Sequence, residues 1–160
     1  MKDNRILHVD SEIGKIIVNK CLSRGYEINT QKLQKLMVLM HARLLTEHNK
    51  PFLRSKIIAS KTAGVMIPQV DSDFIMYGLE FPEKFEEYVL LTESQETAVN
   101  NILARYGAFD VFEIFENTKL KSLNDYCLKQ GLKYIPNDLI KKAYSSVIVD
   151  WDNLDFDLSI

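Results

Sequence analysis

The side chains best suited to chemistry are three histidines, His8, His41 and His48, and two cysteines, Cys21 and Cys127. His41 and His48 sit seven residues apart on one helical face, ~10.5 Å along the axis, too far to share one metal ion. His8 stands beside Asp10 and reads as a cap or surface residue. General acid–base work needs a histidine with an orienting partner, and none can be assembled around these three, so all are read as structural or surface groups. The cysteines form no C-x-x-C pair; two buried free thiols are expected rather than a zinc knuckle or a disulfide scaffold. No G-x-S-x-G elbow is present, and no glycine run is spaced to bring backbone N–H groups onto a phosphate. Carboxylate pairs such as Glu86–Glu87 and Asp71–Asp73 arise without function in a chain with 22 acids. The chain is therefore expected not to be an enzyme and to need no metal or cofactor.

Two constellations point instead to contact with another molecule. Lys32, Lys35 and Arg43 project to neighbouring angles on one helix, a candidate cationic strip for an anion or nucleic acid, or else the polar edge of a buried helix. Residues 147–160 carry four aspartates, Asp150, Asp152, Asp155 and Asp157, and no base, together with the only tryptophan. Trp151 and Phe156 have the character of binding anchors, and the aspartates would steer towards a basic partner surface. The same segment also reads as a packed arm held by Val147-Ile148-Val149, with its aspartates in water. Both readings stand.

The elements that must position these groups are helices. The 160 residues suit one domain, and 46% hydrophobic with 26% charged residues is a globular balance. Residues 1–146 carry 20 basic and 18 acidic side chains, giving nucleic acid and membranes little overall attraction. No apolar run approaches the ~20 residues of a membrane span, and the opening MKDNRILHVDSE lacks a signal-peptide core, so a cytoplasmic protein is expected.

Apolar spacing predicts a helix from Ser11 to Arg24, capped by Asp10 or Ser11 and followed by Gly25. A second runs from the Asn29–Thr30 cap to about Glu47 and is apolar round most of its circumference, which marks it as the buried central helix. Pro51 interrupts, residues 52–60 read as an extended connection or one short strand, and 61–68 as a loop with Gly64 in a glycine-favoured conformation. Further helices are expected over Gln69–Tyr77, from a Thr92 capping box to Tyr106, over Phe109–Glu116 and Ser122–Gln130, and after Pro136; residues 79–91 have no clean period. The sum is a mainly α, compact single-domain bundle over 1–146 with at most a short strand or two, then the acidic aromatic segment 147–160.

Thr30-Gln31-Lys32-Leu33-Gln34-Lys35-Leu36, with Met37-Val38-Leu39-Met40-His41 after it, resembles the L-Q-K-L-L-Y helix of the Panacea domain, a phage-associated family. Asn49-Lys50-Pro51-Phe52 is similar to that family's G-K-P-L-F turn, Ile57-Ile58-Ala59-Ser60-Lys61 to its I-x-A-W-x segment, and Ala63 to Val70 to its G-P-V-x-P-x-V stretch. Asn101 to Gly107 resembles its helix ending in Y-G, and Ile135 to Tyr144 its closing helix. Ser60 stands where the family usually has tryptophan, and the family's T-H-x-x-x-x-W motif has no counterpart, the pattern of a divergent member. The resemblance implies a mainly helical antitoxin that neutralises a toxin by direct contact. A phage-encoded inhibitor or adaptor acting on a host defence or regulatory complex is the first alternative, and a small nucleic-acid-binding regulator using Lys32, Lys35 and Arg43 the second.

Overall fold

The computed structural model describes residues 5–146 and 149–152. Seven α-helices follow in order: α1 (Val9–Ser23), α2 (Thr30–His48), α3 (Pro68–Asp73), α4 (Glu93–Tyr106), α5 (Val111–Glu116), α6 (Leu120–Lys129) and α7 (Asn137–Tyr144), with one 3-10 turn at Ile75–Tyr77. The chain is thus mainly helical. No β-strand is present among the described residues, only isolated antiparallel bridges from Ile58 to Met66 and to Tyr134. These make the expected extended connection the middle of three short segments.

Local chemistry sets the helix ends. The Asn29 side chain accepts from the Lys32 N–H to start α2, and Thr92 with Gln95 closes a reciprocal capping box on α4. Asp110 and Glu113 do the same for α5, so that helix begins at Val111 rather than Phe109. Gly25, at φ +74°, lets Tyr26 N–H reach the Cys21 carbonyl (2.9 Å), the backbone closure that ends α1. The first helix starts two residues before its expected position because the His8 imidazole caps it, accepting from Asp10 N–H at 3.1 Å. Asp10 is thereby carried inside the fold, where its carboxylate accepts from the N–H groups of Arg54 and Ser55 at 2.7–3.1 Å. The helix expected over Gln69–Tyr77 breaks at Phe74 into α3 and the 3-10 turn.

α2 packs against α1, α3, α4, α5 and α7 and is buried on nearly every side, as its composition demanded. It is not alone: residues 10–19 of α1 are buried without interruption. The cover over α1 is the aperiodic stretch 79–91, an extended strap. The Asn19 amide grips the strap like a strand partner, accepting from Phe85 N–H and donating to Phe85 O, both at 2.8 Å. Phe74, Tyr77, Phe81 and Phe85 stack beneath it, with ring centroids 4.7–6.2 Å apart. Asn124 on α6 repeats the device on Ser60, accepting from its N–H and donating to its carbonyl at 3.0 Å. Lys119 closes the far end of α7, donating to the carbonyls of Ala143 and Ser146.

Candidate functional site

Polar side chains on two faces of α2, Thr30, Gln34 and His41 on one and Lys32 and Lys35 on the other, hold the irregular half of the molecule. Thr30 Oγ1 donates to Phe74 O at 2.8 Å. Gln34 accepts from Ile67 N–H at 2.9 Å and donates to the Asp71 carboxylate at 2.8 Å. Lys35 Nζ donates to the carbonyls of Ala63 (2.6 Å) and Val65 (2.8 Å). Lys32 Nζ donates to Glu27 O (2.7 Å) and Gly107 O (2.6 Å). His41 Nδ1 accepts from the N–H groups of Phe52 and Leu53, each at 3.0 Å. The α2 motif and the 63–70 stretch, far apart in sequence, therefore meet in space.

This placement corrects the reading of Lys32, Lys35 and Arg43 as a surface strip. Lys32 and Lys35 are buried, with their ammonium groups committed to backbone carbonyls. Burial pushes the Lys35 pKa down to about 8, opposed only by the nearby Asp71 charge. Lys32 shifts the same way for the same reason, partly offset by Cys21, Glu27, Asp110 and Glu113. Arg43 alone stays at the surface, paired with Glu47 at 2.9 Å. A lysine reads as solvent-facing because its charge is costly to bury; here unpaired carbonyls supply the compensating acceptors.

Of the C-terminal candidates, Trp151 is half-buried against the Tyr126 ring of α6, centroids 5.5 Å apart, while Asp150 and Asp152 are exposed. Phe156, Asp155 and Asp157 lie outside the described residues. Cys21 and Cys127 are buried free thiols, both raised to about 11 by desolvation, so neither is a ready nucleophile at neutral pH. Among the described residues no group of histidine, cysteine and carboxylate side chains has the geometry to hold a metal ion.

Two depressions flank α5. A cavity of about 540 Å³ has Lys35 at its floor and Lys61, Gly64, Phe112, Phe115 and Leu128 on its walls. Opposite lies a wider groove of about 1090 Å³ between the α1–α2 turn, the start of the strap and residues 107–113. Sequence reasoning missed both, since their walls combine loop residues with faces of separate helices that meet only in the fold. Two exposed apolar groups mark them: Phe112 on α5 and Leu79 on the strap. Gly64, at φ +71°, lines the smaller cavity, and a Cβ there would lie 2.7 Å from the Phe115 ring. Gly64→Ala is expected to lower stability by about 2–4 kcal/mol through left-handed strain and the clash together. The midpoint of urea unfolding measures it; an unchanged midpoint would mean that neither the backbone strain nor the Phe115 contact is felt.

No family model matches the chain, and no curated protein and no solved structure is significantly similar to it.

Proposed function

We propose that the chain is a non-enzymatic protein-binding module of the Panacea kind, an antitoxin that neutralises a toxin by direct contact. One observation carries the reading. Gln34 and Lys35, inside the helix that resembles the family's L-Q-K-L-L-Y motif, are bonded to Ile67, Asp71, Ala63 and Val65, in and beside the stretch that resembles its G-P-V-x-P-x-V motif. In this chain the two segments form one physical unit: an unpaired buried amide, carbonyl or ammonium is costly, so a change in either segment is felt by the other.

In this reading the buried ionisable groups are fastenings, and the work is done by the outer surface around α5 and the strap. The test is co-expression with the neighbouring gene of the native host. That gene's product alone should arrest growth, and this chain should relieve the arrest and co-purify with it. A neighbour whose expression is harmless, or an arrest that persists with the chain present, rejects the antitoxin reading.

A further inference from the structure

The groove of about 1090 Å³ is distinguished by its charge. Glu27, Glu80, Asp110 and Glu113 line it, and Lys32 is the only lysine or arginine among its lining residues. The Lys32 ammonium lies below the floor, held by the Glu27 and Gly107 carbonyls and 5.9 Å from the Tyr26 ring. Asp110 and Glu113 spend one oxygen each on their capping box. Glu27 and Glu80 are exposed and form no ion pair among the described residues. On the strap side Leu79, 94% exposed, lines the groove beside Glu80, and outside the rim Ile75 and Met76 of the 3-10 turn are 75% and 70% exposed. Three large apolar side chains so exposed within five residues are the kind of surface that marks a contact site.

We infer that this groove docks a basic, apolar segment of the partner protein, one that sets lysine or arginine beside a leucine- or phenylalanine-sized side chain. The inference rests on the protein-binding reading above and names what that surface receives. Carboxylates from all three sides of the groove, Glu27, Glu80 and the Asp110–Glu113 pair, select and orient a cationic segment, while Leu79 and its neighbours supply area to bury, the division of labour usual at protein interfaces. Charge also removes the rival occupants. A nucleic acid would bring phosphates against four carboxylates. A second copy docked through the same face would oppose acid to acid. The chain's own 147–160 segment, with four aspartates and no base, would be repelled as well.

The test uses the full chain as bait for a displayed library of random peptides, with prior depletion on the double variant Glu27→Lys/Glu80→Lys. Enriched peptides should combine lysine or arginine with large apolar residues. A synthetic copy of the leading peptide should bind the double variant, and separately Leu79→Ser, about tenfold or more weakly than the parent chain, with unfolding midpoints unchanged. Glu93→Lys, an exposed change on α4 outside the groove, should leave binding close to the parent value. Enrichment of neutral or acidic peptides, equal affinity for parent and groove variants, or an equal loss in Glu93→Lys overturns the inference. Groove variants that still relieve growth arrest would reject the groove while leaving the antitoxin reading intact; a harmless neighbouring gene would do the reverse.

Discussion

Replacing Lys15 by methionine is expected to cost about 3–5 kcal/mol, among the largest single losses this fold can show. Lys15 and Glu12 are both buried on α1 and meet at 2.8 Å. The ammonium also donates to Arg5 O at 2.6 Å and lies 5.2 Å from the Tyr88 ring and 5.8 Å from that of Phe85. Methionine fills the volume, so packing is nearly conserved and the loss reports the ammonium's ion pair, hydrogen bond and ring contacts. What remains is a carboxylate in the interior whose Oε1 already has no partner and whose Oε2 keeps only Leu7 N–H, at 2.9 Å. A carboxylate held in the interior without its counter-charge is what makes the substitution costly.

The decisive comparison is the double variant Lys15→Met/Glu12→Gln. A glutamine retains an acceptor for Leu7 without the stranded charge, so the double variant should recover at least half of the single-variant loss, about 1.5–2.5 kcal/mol or more, and the coupling exceeds that recovery by whatever Glu12→Gln costs alone. Losses that simply add in chemical denaturation would show that the two groups do not depend on each other.

That such a pair exists could not be read from the sequence, and the reason is specific. Apolar periodicity in α1 marks Ile13, Ile16, Ile17 and Cys21 as one face, and by default assigns Glu12, Lys15 and Asn19 to water. The default fails because the strap covers them, and the strap has no period: its pairing is made by the Asn19 amide and by Phe81 and Phe85, not by a ladder. Where an end is set by neighbouring residues the reading succeeds, as at the Asn29 cap, the Thr92 capping box and the glycine after α1. Where a polar residue is satisfied by a distant backbone, residue type misleads. The cationic-strip reading of Lys32 and Lys35 fails for that reason, leaving polar groups on a buried helix, and the two depressions beside α5 are not legible because their walls join loops to helix faces from several parts of the chain.

His41 follows the same logic and carries the second large effect. Its Nδ1 accepts from two backbone N–H groups, Phe52 and Leu53, which requires the proton to sit on Nε2, where it is donated to Asn137 Oδ1 at 2.8 Å. Together with Asp10 holding Arg54 and Ser55, it secures four consecutive N–H groups of the segment after Pro51 and ties them to α7. His41→Leu orphans two of those donors and an amide oxygen, and is expected to cost about 2–5 kcal/mol. The exposed His48→Leu should stay within about 0.5 kcal/mol of the parent.

The geometry also sets a pH dependence. Burial lowers the His41 pKa below its ordinary 6.5, against the smaller upward pulls of the Asn137 bond and the Asp10 charge. Above pH 6.5 the ring is neutral in both folded and unfolded chains, and its contribution is complete. As pH falls below 6.5 the unfolded chain takes up a proton that the folded ring refuses, so stability declines by up to about 1.4 kcal/mol per pH unit until the folded pKa is reached. Urea titrations at pH 7.5 and pH 5 should show a wider gap between the two pH values for the parent chain than for His41→Leu, because only the parent has this ring to protonate. Equal gaps would place the proton uptake elsewhere and remove His41 as the acid-sensitive tie between α2, α7 and the 52–55 segment.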